Sequence, residues 1–213
     1  MISIKQIIHN KIYALALKTN VYTRKNQKLE EGFRLRLKND DFTIICPNCL
    51  GGIIYHRLGK QFLSPTINMW MSHKDFVKFV SNIKYYVSLD VDFIESNEKT
   101  PVAMLGDIKL HFNHSKTEEA AFNDWNRRKD RINYENRYII AYDVAELDAE
   151  DISVIQSVDC KGVAILTNKK DRDNEIFLKS RKNNQDDSLF LGKDIFGIRT
   201  FEKQWDFVSF LNQ

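Results

Sequence analysis

Cysteine is scarce here: three residues, an odd number, argue against the paired framework of a small secreted domain. Long apolar runs are missing too. The opening stretch "MISIKQIIHNKIYALALK" holds none long enough for a signal peptide or a membrane span, and the expectation is a cytoplasmic protein. Net charge is small, at +3. No recognised nucleic-acid motif is present, so nucleic acid is not an expected partner. An acidic metal motif is lacking as well. The Asp-x-Asp candidate weighed for that role, "DVD" at 90–92, falls between a helix and apolar residues. No metal is expected.

What is present suits a soluble α/β protein. The 213 residues are 43% hydrophobic and 29% charged, enough for one substantial domain or two small ones sharing a core. Charge is uneven: residues 1–40 hold nine Lys/Arg against three Asp/Glu, and the remainder holds 23 against 26. Ile2, Ile4, Ile7, Ile8, Tyr13, Leu15 and Leu17 interrupt the basic start at helical spacing. Residues 1–40 therefore read as a basic amphipathic segment and 41–213 as a single α/β domain. Such a segment can make peripheral contact with the inner membrane face or take a phosphate-bearing ligand. It can equally be a docked helix with a basic solvated face.

Strands and helices alternate along the rest. "FTIIC" (42–46) reads as a buried strand, and "GIIYHRLG" as a short helix ending at Gly59. "SPTINMWM" (64–71) is extended because Pro65 biases its neighbour away from helix. Ser72 caps a helix through "HKDFVKFVSNIKYYVS", and Ser115-Lys-Thr-Glu118 is a capping box for a helix to about Asn133. "PVAMLGDIKLHFNH" (101–114) holds at least one strand. "RYIIAYD" (137–143) and "GVAIL" (162–166) are strands flanking a helix over "DAEDISVIQSV". A polar loop covers 168–188, "FGIRTF" is a strand and "EKQWDFVSFLNQ" a closing helix. The pattern predicts a mainly parallel sheet flanked by helices. "DFVKFVSN" (75–82) echoes "DFVSFLNQ" (206–213); a duplicated β-α unit would explain this, as would chance likeness of two amphipathic helices.

Cys46-Pro-Asn-Cys49 poses the central question. A strand, Cys-x-x-Cys and a helix make a thioredoxin-like redox arrangement, although Gly51-Gly52 weaken that helix. The pair can also be half of a zinc site completed by His111 and His114, although a knuckle wedged into an apolar strand is unusual. In the third reading Cys49 stands at a strand-turn-helix elbow. Gly51 and Gly52 let the backbone turn and approach a ligand closely, and the helix N-terminus favours a thiolate. The bland alternative is a small buried hydrophobe.

"NCLGGIIY" (48–55), "FLSPTI" (62–67), "DFVKFVSNIKYY" (75–86), "PVAMLGDI" (101–108), "HFNHSKTEEA" (111–120) and "WNRRKDRINYEN" (125–136) follow in order. The series resembles the domain of unknown function nineteen-nineteen family, over about residues 35–213. Members are often labelled exopolysaccharide or capsule biosynthesis proteins. The resemblance implies an α/β fold and a setting in surface-polysaccharide synthesis. Asn48, Cys49, Gly51, Gly52 and His114 match the family pattern. Cys46, Pro47, His111 and Asn113 do not, and Ser115 replaces an expected aromatic residue. Cys49 is then the member of the pair to watch.

Cys49 and His114 form an acyl-transfer pair if they meet. Both follow predicted strand ends, which parallel strands place along one sheet edge. Asn48, Ser64 or the backbone after Cys49 are candidate oxyanion donors. Arg127 and Arg131, four apart on a helix, can grip a diphosphate or the phosphates of acetyl-CoA, unless Asp124 takes up that helix's arginines. The expectation is a cytoplasmic transferase acting on a sugar or polysaccharide precursor, with an O-acetyltransferase-like Cys/His site. Alternatives are a glycosyltransferase-like sugar-nucleotide enzyme, or an accessory protein docked to a membrane complex through residues 1–40.

Overall fold

Four runs rich in β-branched and aromatic residues build one parallel sheet. They are β1 (Thr43–Ile45), β5 (Arg137–Asp143), β6 (Gly162–Thr167) and β7 (Ile176–Phe177), side by side in that order. A computed structural model of the chain describes residues 11–12, 14–15, 20–143, 147–179 and 188–213. Side chains alternate across the sheet. Ile44, Tyr138, Ile140, Tyr142 and Leu166 enter one core, and Ile45, Ile139, Ala141 and Ile165 the other. The first core is covered by α1 (Val21–Arg36), α2 (Leu50–Leu58), α8 (Thr200–Gln204) and α9 (Phe207–Leu211), with Phe190 of the short α7 (Ser188–Leu191). The second is covered by α3 (His73–Ser81), α4 (Ile83–Ser88), α5 (Glu118–Lys129) and α6 (Ala149–Gln156). An antiparallel sheet of β2 (Asp92–Ile94), β3 (Val102–Leu105) and β4 (Ile108–His111) completes that side. The α/β architecture with a mainly parallel sheet is thus as the sequence predicts. No described helix is long and apolar enough to cross a membrane.

β1 is an edge strand, and its open side is occupied. The Ile44 N–H donates to the Tyr55 hydroxyl, which donates to the Phe42 carbonyl. The Cys46 N–H donates to Thr66 Oγ1, and Thr43 Oγ1 donates to the Leu63 carbonyl. Burial pushes the Tyr55 hydroxyl pKa up, so it stays a neutral donor and acceptor. The 63–66 segment thereby blunts an edge that would otherwise offer itself to another strand.

Local chemistry sets most ends as expected. Gly59 closes α2 at φ 66°, and Ser72 Oγ accepts from Asp75 N at 3.0 Å to cap α3. Several expectations are corrected. The helix after Ser72 breaks at Asn82 (φ −143°) into α3 and α4. α5 is capped by Thr117 rather than Ser115, whose N–H is held in a turn by Phe112 O, and it ends at Lys129. "FGIRTF" is no strand. Asp194 Oδ1 accepts from Phe196 N (2.8 Å) and Ile198 N (3.0 Å), an Asx turn that Gly197 completes at φ 76°. Lys193 and Arg199 bridge across its stem. The closing helix is two short ones, parted at Trp205–Asp206. α3 and α9, the echoing segments, lie on opposite faces of the parallel sheet and neither directly follows one of its strands; the structure contains no duplicated β-α unit in them. Of the 168–188 loop, residues 176–177 form β7 and 180–187 lie outside the described residues.

Residues 20–40 are built into the domain. Phe33 of α1 is buried and meets Phe207 edge-on at 4.7 Å. Asn39 Nδ2 donates to the Leu211 carbonyl, and Asn212 Nδ2 to the Arg36 carbonyl. The expected segment 1–40 is therefore not set apart from the core over these positions; residues 1–10, 13 and 16–19 lie outside the described residues. Charge locks the same helices. Arg57 of α2 donates through Nε to Glu202 of α8 (2.5 Å) and through Nη1 to Glu30 of α1 (2.8 Å). Burial opposes the Arg57 charge, but Glu202 and Glu30 outweigh it and raise its pKa.

Two substitutions test this docking. Phe33→Ala is expected to cost about 3 kcal/mol in chemical denaturation, whereas Leu35→Ala on the exposed face of α1 costs under about 0.5 kcal/mol. Glu202→Gln is expected to cost about 3 kcal/mol, because it leaves Arg57 half matched in a buried place. Lys60→Ala, which removes an exposed pair with Asp40, should cost less than about 1 kcal/mol.

Candidate functional site

The elbow after β1 is organised by Asn48. Its buried Oδ1 accepts from Leu50 N at 3.0 Å and from the Tyr142 hydroxyl at 3.1 Å, tying the turn to β5. Cys49 then occupies the N-cap position of α2. The two glycines let that helix lie close against what is beneath it. A Cβ on Gly51 would stand 3.3 Å from Ile44 Cγ2, and one on Gly52 3.2 Å from Ile67 Cγ2. Cys49 sits above this contact, partly exposed.

His114 arrives from the other side. It lies in the turn between β4 and α5, shaped by Asn113 N→His111 O and Ser115 N→Phe112 O. Its Nε2 is 3.2 Å from Cys49 Sγ. The two residues do meet, but not along one parallel sheet edge, since β4 belongs to the antiparallel sheet. A bridge between Trp70 and His111 joins that sheet to the segment after α2 and brings the turn across.

The paired-cysteine readings lose their other members. Cys46 is wholly buried, and no described cysteine is in a disulfide. His111 stacks on Trp70 at 3.8 Å, and its Nδ1 lies 2.8 Å from Glu98. Among the described residues no group of three or more His, Cys, Asp or Glu is gathered for a metal ion.

Cys49 and His114 open into a cavity of about 560 Å³. α1 contributes Tyr22, Asn26 and Glu30 to its wall, and the 193–199 turn contributes Lys193, Gly197 and Arg199. Asn26 Nδ2 donates to the Phe196 carbonyl at 2.6 Å, and Lys25 Nζ lies 3.5 Å above the Phe196 ring. A Cβ on Gly197 would fall 2.1 Å from the Tyr22 hydroxyl, so glycine is required there by contact as well as by φ. Arg57 lies in the same wall, its charge matched as above. Burial pushes the Arg199 pKa down while Glu202 opposes this, and Cys49 is among the groups its charge senses. The Lys193 pKa is pushed down first by Arg199 and then by burial.

The remaining predicted residues fall as follows. Gly52 lines the cavity. Asn48 is buried beneath the elbow with its oxygen committed to Leu50 and Tyr142, a positioning role. Gly51 is a packing contact inside the core. Ser64 is fully buried, bonded to Thr66 at 3.1 Å along the edge of β1, and is not on the cavity. Arg127 pairs with Asp124 on its own helix, and neither it nor Arg131 lines the cavity. The intrahelical acid wins because it is three residues away and already in reach. Arg128, between them, is buried and donates to the Ile67 carbonyl at 2.9 Å, pinning the loop that carries the cavity residue Asn68. Arg57, Lys193 and Arg199 carry the site's positive charge, and no motif in the sequence marks them.

A family model described as "Domain of unknown function (DUF1919)" matches residues 19–212. That span takes in α1 along with the sheet, the elbow and the 193–199 turn. A Haemophilus influenzae protein described as "Uncharacterized protein" is 29% identical over 153 residues, covering 72% of this chain and 74% of that protein. With nearly its whole described fold inside the family match, the chain belongs to the domain of unknown function family DUF1919.

Proposed function

We propose that the chain is a thiol-dependent acyltransferase, with Cys49 as nucleophile and His114 as general base. The observation that carries this is the 3.2 Å approach of Cys49 Sγ to His114 Nε2, in a cavity, at the N-terminus of α2. His114 takes the thiol proton, and the thiolate attacks the acyl carbon of an activated donor. The N–H of Gly52, which lines the cavity, belongs to the first helical turn, where the α-helical pattern supplies no acceptor, and it is the donor for the tetrahedral oxyanion. Collapse forms an acyl-thioester on Cys49, and His114 returns its proton to the departing group. An acceptor hydroxyl then gives its proton to His114 and attacks the thioester, which restores the thiol. A thioester such as acetyl-CoA suits the first half, and a sugar hydroxyl the second. Surface-polysaccharide synthesis is the setting that the family resemblance implies.

Alkylation by iodoacetamide, located by peptide mass spectrometry, tests the pair. Cys160 is the internal reference, since burial pushes its thiol pKa up and leaves little thiolate near neutrality. At about pH 7, Cys49 is expected to react roughly tenfold faster than Cys160, and His114→Ala to remove most of that advantage. Turnover of an activated acetyl ester should be lost in Cys49→Ala and kept in Cys46→Ala. Equal reactivity of Cys49 with and without His114, or equal losses in the two cysteine variants, would overturn the nucleophile-base assignment.

A further inference from the structure

Beside Cys49, two cations are held together without a salt bridge of their own, the nearby Glu202 being spent on Arg57 and on the Arg199 backbone N–H. Lys193 and Arg199 are bridge partners at the stem of the 193–199 turn, which sets their side chains next to each other. Both line the cavity that holds Cys49 and His114. Among the described residues neither forms a salt bridge, although Arg57 in the same wall has two. Arg199 Nε is buried with no hydrogen-bond partner. The turn that carries them is not free to spread. Asp194 accepts from Phe196 and Ile198, Gly197 is packed under Tyr22, and Asn26 holds the Phe196 carbonyl.

Like charges placed opposite one another cost stability, and a rigid stem keeps that cost in place. Lys193 registers it, with its pKa pushed down by Arg199. An anion bound between the two removes the repulsion and completes the Arg199 fork. We infer that Lys193 and Arg199 are the subsite for the diphosphate of the donor, so that the substrate class is a diphosphate-linked carrier delivering its group to Cys49. Two adjacent positive charges that form no salt bridge among the described residues suit a group with two negative ones. A cavity of about 560 Å³ falls within the size range of small-ligand sites. The inference rests on Cys49 being the reacting group. It moves to Lys193 and Arg199 the phosphate-gripping role that the sequence suggests for Arg127 and Arg131. The diphosphate is shared by coenzyme A, whose thioester carries the acyl group of the reaction above, and by a nucleoside-diphosphate sugar, which would offer its anomeric carbon to Cys49 with the nucleoside diphosphate as leaving group.

The test compares an anionic with a neutral alkylating reagent at Cys49. The rate ratio of iodoacetate to iodoacetamide cancels the intrinsic reactivity of the thiolate and leaves the local field. In the intact protein that ratio is expected to exceed the ratio for a small free thiol by roughly fivefold. Lys193→Gln combined with Arg199→Gln should bring it down to the free-thiol value, and Lys193→Arg should retain it. Pyrophosphate should protect Cys49 from iodoacetamide in the natural sequence and not in the double variant, with sodium chloride at matched ionic strength as control. Coenzyme A and UDP are then compared as protectants. Tighter protection by coenzyme A supports the subsite together with acyl transfer, whereas tighter protection by UDP supports the subsite and overturns acyl transfer in favour of glycosyl transfer. A ratio unchanged by the double substitution, or pyrophosphate protection that persists in it, overturns the subsite. Iodoacetamide reactivity alone reports on Cys49 as nucleophile, so failure of that reading is seen separately.

Discussion

A guanidinium enclosed among helices has to be matched where it lies, and Arg57 is the charge on which this arrangement depends. It extends from α2, meets Glu202 on α8 and Glu30 on α1, and reaches the Gly197 carbonyl at 3.4 Å. Its own carbonyl accepts from Arg34 Nε at 3.1 Å, again from α1. Leaving out both acids strands a charge that costs several kcal/mol to bury alone. The elements that wall the cavity are therefore fixed relative to α2. Since Cys49 begins α2, its thiol and the walls share one frame.

The Asn-Cys-x-Gly-Gly pattern divides its labour along the same helix. The Asn48 oxygen holds the turn to Tyr142 and to the helix start. Gly51 and Gly52 let the helix settle onto Ile44 and Ile67, where any Cβ crowds its neighbours. The thiol is then presented on a helix pressed flat against the sheet, with backbone donors behind it. Three residues of the pattern thus fix the position in which the fourth, Cys49, is presented.

Much of this was legible because it rests on local signals. The alternation and β-branching of 137–143 and 162–167, the Ser72 cap and the Gly59 stop are each decided by a few neighbouring residues. The meeting of Cys49 and His114 was also in view, though by a route the chain does not take. The bridge of Trp70 with His111, between segments whose pairing no periodicity announces, brings them together. Arg127 and Arg131 illustrate the opposite difficulty. Helical spacing made them look like a clamp, but Asp124 in the preceding turn claims Arg127. Lys193 and Arg199 could not be read at all. They stand close only because an Asx turn reverses the chain, and they face Cys49 only because α1 holds that turn from a distant part of the sequence.

That distance has a consequence for the order in which the molecule assembles. Asn26 and Phe196, which join the two sides of the cavity, are 170 positions apart. Closing so long a loop costs more chain entropy than forming the elbow, where Asn48 bonds to a residue only two positions away. The expected order in a refolding chain is the local turn of the cysteine first and its cationic surroundings later. Reactivity toward a small neutral reagent and toward an anionic one should therefore recover at different times.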